Sequence, residues 1–307
     1  MGGSSFDYND WQTTSTKTRS KSINQIYTTS SLHDDVDPAK MKNGQRESCD
    51  SDANPKSTPI IIGLDATGSM QTIPEYMIKT GLGEMFKSIY ERKPVSDPQV
   101  AFCCIGDVVA GDRAPFQVGQ FESQCDLLVD GLTKFWLNGC GGGGNDQESY
   151  DLPYYFAVNH TKTDAFQKRG QKGYLITIGD EPPPRVLTAG DINKVFGTHP
   201  EGNVTFEQLV SQVRRTYIPI HIIIEEGSHV RAYGLDTVLK PWRNLLGEDA
   251  ILCSDYTKLA EIITSILQVK AGMNAKDVID SWDGSTSVAV SKAVSSLTTQ
   301  QDSSVVF

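Results

Sequence analysis

Asp65, Thr67 and Ser69 stand at alternate positions in Leu64-Asp65-Ala66-Thr67-Gly68-Ser69-Met70, so a tight turn can aim one carboxylate and two hydroxyls at a single point. Oxygen donors of this kind, with water filling the remaining positions, suit a hard cation: Mg2+ first, with Mn2+ or Ca2+ as alternatives. A second acid, Asp180, ends another apolar run, Tyr174-Leu175-Ile176-Thr177-Ile178-Gly179. Its carboxylate can reach the same ion, directly or through a water, if the two runs lie side by side. Asp107 and Asp112 can line the same face or hold a second cation, but they also read simply as turn residues.

The elements that must position these groups are legible in outline. Ile60-Ile61-Ile62 is apolar without alternation, as in a central parallel strand covered on both faces, and Asp65 falls where that strand should end. In open α/β sheets ligands bind at such carboxyl ends. Ile78, Leu82, Met85, Phe86 and Ile89 recur at helical spacing, with Pro74 in the expected first turn. Residues 100–105 read as the second strand and 116–121 as a short third one. The connection between them is too short for a crossover helix, so the third strand should run antiparallel at the sheet edge. Cys125, Leu128, Leu132 and Phe135 mark a further helix, which meets four consecutive glycines at 141–144; another begins near Asp151, with Pro153 in its first turn.

After the strand that ends at Asp180, Thr205 and Gln208 have the spacing of a capping box. Residues 218–224 form the next strand, in which His221 reads as a core or strand-edge residue. A helix over 232–246, a strand over 250–253 and a helix carrying Leu259, Ile262, Ile263, Ile266 and Leu267 follow. Strands alternating with helices predict a doubly wound, mostly parallel six-stranded α/β sheet with helices on both faces.

From Pro59 to Gly272 the chain resembles the von Willebrand factor type A (VWA) family. Asp65-Ala66-Thr67-Gly68-Ser69 matches its metal-ion-dependent adhesion site, D-x-S-x-S, with threonine as the first hydroxyl. The resemblance implies a Rossmann-like fold of strand order 3-2-1-4-5-6 with strand three reversed. It also implies a non-catalytic module in which a partner's Asp or Glu completes the shell of a bound Mg2+. Many VWA domains supply a threonine from the middle loop, whereas some relatives use glutamate before a helix. Asn145-Asp146-Gln147-Glu148-Ser149-Tyr150-Asp151 looks like the second kind, which makes Glu148 the middle-loop ligand beside Asp65, Thr67, Ser69 and Asp180. Glu148 alternatively favours the positive end of the following helix; Asp146 is a weaker ligand candidate, and Asp151 reads better as a helix cap. The lead-in and glutamate loop look like an intracellular bacterial and phage-type group, some of whose relatives serve AAA-type ATPase assemblies.

Composition sets bounds. The 307 residues carry a formal charge of −10, which argues against a phosphate-binding or nucleic-acid partner. No basic-then-apolar leader and no run long enough to cross a bilayer occurs, so the expectation is a soluble cytoplasmic protein, or a virion-associated one. Gly2 does not signal myristoylation, because Phe6 stands where Ser or Thr is required. Six cysteines show no C-x-x-C spacing and read as buried free thiols. Residues 1–57 read as a polar, largely disordered extension, although 22–27 has the makings of an edge strand. Residues 58–272 form the VWA domain, and 273–307 a polar, mobile tail in which 288–294 is a short helix or added strand.

Two alternatives stay open. Asp65-Ala66-Thr67-Gly68-Ser69 also resembles the D-K-T-G-T of phosphorylated ATPases, which would make Asp65 the nucleophile of an aspartyl-phosphate phosphatase or phosphotransferase, but Ala66 occupies the lysine position. The other is a structural scaffold or virion component with a vestigial site. No Walker loop, H-E-x-x-H or G-x-S-x-G occurs to support another enzyme class.

Overall fold

A computed structural model describes residues 29–70, 72–141 and 147–297. The 22–27 segment, the glycines at 142–144 and Asp146 lie outside them. The main sheet consists of β1 (Thr58–Asp65), β2 (Pro98–Ile105), β3 (Phe116–Val118), β4 (Gly173–Gly179), β5 (Tyr217–Ile224) and β6 (Ala250–Cys253). Its order is β6-β5-β4-β1-β2-β3, parallel throughout except for the β2–β3 pair. That is the expected order, with the short third strand reversed at the edge. Central β1 pairs with β2 along Thr58 to Asp65, and with β4 from Ile60–Tyr174 to Leu64–Ile178.

Alternation along each strand divides the core in two. Ile60 and Ile62 of β1 join Val100, Phe102, Ile176 and Ile222 in one apolar layer, under the helices Leu82–Arg92 and Leu259–Lys270. Ile61 faces the other way with Ala101, Leu175 and Ile223, against the helices Asp151–Asn159, Phe206–Val213 and Leu235–Leu246. A strand buried on both faces can be apolar at every position, which is why β1 shows no polar alternation. The capping box at Thr205 and Gln208 forms as expected. The first crossover is less regular than expected: a helical turn, Ile73–Tyr76, passes through a π-helical stretch, Met77–Gly81, before the helix Leu82–Arg92. Among the described residues no helix is long and apolar enough to cross a membrane.

Two segments differ from the expectation. Within the extension read as largely disordered, residues 29–57 lie on the domain. Val36 and Met41 are buried, the short strand Arg46–Ser48 pairs in parallel with Thr161–Thr163, and Asp50 meets the Arg169 guanidinium at 2.6 Å. Backbone pairing and polar ties order this segment, and neither leaves an apolar periodicity to read. The segment after Gly272, expected to be a mobile tail, forms the helices Ala275–Asp280 and Gly284–Val294. Their Val278, Val290 and Val294 are fully buried in the layer that holds Ile263 and Ile266. Small apolar residues spaced among serines and threonines carry that packing, and the polar composition hides it.

Candidate metal centre

The site is built at the carboxyl ends of β1 and β4. Asp65 is the last residue of β1 and is fully buried. The chain then turns through Thr67 into a short 3-10 turn, Gly68–Met70, closed by the Met70 amide donating to the Thr67 carbonyl at 3.2 Å. This turn brings the two hydroxyls together, with Thr67 Oγ1 and Ser69 Oγ 3.2 Å apart. The Thr67 hydroxyl donates to Asp65 Oδ1 at 2.6 Å and its amide to the same oxygen at 2.9 Å. From the neighbouring strand end, Asp180 Oδ1 accepts the Ser69 hydroxyl at 2.7 Å. Glu148 is only 4% exposed and lies close enough to Asp65 for that charge to bear on it. Thus Asp65, Thr67, Ser69 and Asp180 form one connected cluster, with the buried Glu148 beside it.

Sequence reasoning missed two contributors. The first is Tyr150, whose fully buried hydroxyl donates to Asp65 Oδ2 at 2.6 Å. A Cβ on Gly179 would stand 1.9 Å from that hydroxyl, so β4 must end in a residue without a side chain for Tyr150 to reach the site. The second is the loop after β5. The His229 amide donates to Asp180 Oδ2 at 2.9 Å, and the Ser228 hydroxyl to the Ser69 carbonyl at 3.0 Å. Gly227 permits this approach, because a Cβ there would lie 2.2 Å from that of Asp180. A buried aromatic reads as core, so Tyr150 left no signal; the Gly227-Ser228 pair after an apolar strand was the one available hint. His221 is a core residue, its ring stacked on Trp242 at 3.6 Å and its Nδ1 2.8 Å from Thr177 Oγ1.

The electrostatics of the cluster are those of too many anions in too little water. Burial, then the charge of Asp180, pushes the Asp65 carboxyl up, against the hydrogen bonds from Thr67 and Tyr150. Burial, then the charge of Asp65, pushes Glu148 up strongly. Thr67 has a single hydroxyl proton and cannot donate to both carboxylates at once. Glu148 Oε2 is buried with no hydrogen-bond partner among the described residues. Either protons or a cation must fill this deficit.

The donor set fits a hard divalent ion: every donor is oxygen, carboxylates are mixed with hydroxyls, and one buried carboxylate oxygen lacks a partner. Among the described residues no group of three His, Cys, Asp or Glu side chains is arranged to hold a metal by itself. Any ion here would depend on the Thr67 and Ser69 hydroxyls and on water as much as on acids. Of the other acids, Asp107 accepts the Val109 amide and its own amide donates to Asp112, the turn roles considered for both. Asp151 is the buried first residue of its helix, but no side-chain hydrogen bond caps that helix end, so the cap expected of it does not form.

No protein-family model matches the chain, and no curated protein does. Solved structures of similar fold include the pilus adhesin SpaC from Lactobacillus rhamnosus GG in an open conformation. It is 12% identical, with a TM-score of 0.44 over 75% of this chain and 31% of that one. Another is a von Willebrand factor type A protein from Catenulispora acidiphila, 12% identical, with a TM-score of 0.37 over 71% of this chain and 44% of that one. The chain thus spans less than half the length of either. At this distance the likeness carries no argument about the site.

Proposed function

We propose that this chain is a VWA-type, non-catalytic module that captures an Asp or Glu of a partner protein through a divalent cation, Mg2+ in the first instance. One observation carries the reading: Asp65, Thr67, Ser69, Glu148 and Asp180 converge from three chain segments at the carboxyl edge of the sheet, leaving a buried carboxylate oxygen without a partner. A cation bound among them turns repulsion between this acidic cluster and an acidic partner into attraction. The chain's own residues fix the donors: Tyr150 and the Thr67 amide orient Asp65, and the His229 amide orients Asp180. A multiprotein assembly, including one built around an AAA-type ATPase, is the setting this reading suggests, in the cytoplasm or on a virion.

Phosphoryl transfer is the weaker reading. Asp65 is fully buried with both oxygens engaged, and Ala66 replaces the lysine that would neutralise an incoming phosphate. The test is calorimetric titration of Mg2+ and Mn2+ into wild type and Asp65→Ala, joined to capture from native lysate in Mg2+ and in EDTA. Saturable metal binding and a partner held only by wild type with metal are the expected results. Identical captures in all conditions would leave a scaffold role.

A further inference from the structure

A cavity of about 420 Å3 opens between the ordered extension, the chain after β3 and the helix Cys125–Thr133. None of the five proposed metal donors lines it. Its size falls within the roughly 300–1,000 Å3 of small-molecule sites. Phe102, Leu128, Leu132 and Phe135 make much of its lining apolar. The polar lining includes Arg46, which is only 4% exposed. Its Nη2 donates to the carbonyls of Asp35 and Val118. Its Nε is enclosed without a partner, and its Nη1, which makes no hydrogen bond among the described residues, is left to the cavity. No carboxylate among the described residues pairs with this guanidinium: Lys40 holds Asp34 at 2.6 Å, and Lys134 holds Asp35 and Asp130 at 2.9 Å each. Burial pushes the remaining acid of the lining, Glu122, up towards its neutral form. A buried cation without a counter-ion is costly, and burial pulls Arg46 down by more than the charge of Asp35 restores.

We infer that this cavity binds a small organic monocarboxylate, its head on Arg46 and its apolar body against Leu128, Leu132 and Phe135. The unused Nη1 donors call for an acceptor, and the uncompensated charge calls for a negative one. The acids of the lining repel a second negative charge, which selects a carboxylate over a phosphate dianion. The leucine and phenylalanine surfaces reward an apolar body. Gly131, which also lines the cavity, supports the reading from another direction. It stands in the last turn of its helix, where glycine weakens the helix, and a Cβ there would meet nothing within 4 Å. Packing therefore does not require glycine at this position, and the missing side chain keeps the cavity wide. The inference is independent of the adhesion-site reading, since it uses none of that site's residues.

The probe is 4-phenylbutyrate, with 4-phenylbutanol, 4-phenylbutylammonium and phenyl phosphate as neutral, cationic and dianionic controls, titrated against the full chain and followed by amide chemical shifts. Saturable shifts at Gly119, Gly131 and Leu132 are expected with the carboxylate, and binding at least about tenfold weaker with each control. Arg46→Met should weaken the carboxylate at least about tenfold, the scale of one lost charged hydrogen bond, and leave the alcohol unchanged. Arg46 also ties down the extension, so Gly131→Phe serves as the second variant: it fills the cavity where a side chain meets no obstacle, and should abolish the shifts with the thermal unfolding midpoint retained. Mn2+ calorimetry on Gly131→Phe should match wild type, and Asp65→Ala should keep the carboxylate shifts, so failure of the metal reading and failure of the cavity are separately visible. The proposal is overturned if wild type shows no saturable shift, if any control binds as tightly as the carboxylate, or if folded Gly131→Phe binds it as well as wild type.

Discussion

At the scale of single residues, the cluster is held in place by groups outside its five proposed donors. Tyr150 donates to Asp65 from full burial, so Tyr150→Phe keeps the ring packing and loses one hydrogen bond. Removing an orienting partner of this kind costs roughly ten- to a hundredfold in metal affinity. We expect Mn2+ calorimetry on Tyr150→Phe to show a loss in that range with the fold intact, and unchanged affinity would remove Tyr150 from the site. Gly179→Ala drives a methyl group into the same hydroxyl, and overpacking of this sort destabilises by about 1–3 kcal/mol. Urea denaturation measures that loss, and the metal affinity should fall with it. Asp65, Thr67 and Ser69 were readable because their spacing is local. Asp180 was readable because its strand ends as β1 does. Tyr150 and His229 were not, and Gly227 left only a hint, since what they do depends on which strand lies beside which loop.

At the scale of elements, the last two helices belong to the core. Val290 is fully buried in the layer of Ile263 and Ile266, so Val290→Ala should lower stability by about 1–3 kcal/mol, checked by thermal or urea unfolding. A mobile tail would give no change. The contrast with the sheet explains what the sequence concealed. Continuous apolar runs such as Ile60-Ile61-Ile62 announce strands buried on both faces, whereas the helix Gly284–Val294 shows one thin stripe of Ala289, Val290, Ala293 and Val294 among serines and threonines. The strand Arg46–Ser48 was hidden for another reason: a three-residue edge pair is held by its backbone, and its side chains need no pattern.

At the scale of the whole molecule, the ordered segment before β1 ties acid stability to one ion pair. Burial works to raise the Asp50 carboxyl, but bonds from the Arg169 guanidinium and from the Ser57 hydroxyl and amide outweigh it and hold it down at about 2. An unfolded aspartate titrates near 3.9, so this stabilisation is complete above roughly pH 5 and is lost as pH falls towards 2. Asp50→Asn should therefore flatten the decline of the urea midpoint across that window, and an unaltered decline would locate acid sensitivity elsewhere. A last consequence concerns time. Ile60 pairs with Tyr174, so the two strand ends that carry Asp65 and Asp180 meet only after a long stretch of chain has been looped out. Such distant closures are slow, because entropy must be spent before contacts return it. In stopped-flow refolding, Mn2+ capture should rise in the same slow phase as the fluorescence of Trp242, which packs against Tyr150, and no metal-competent species should precede it.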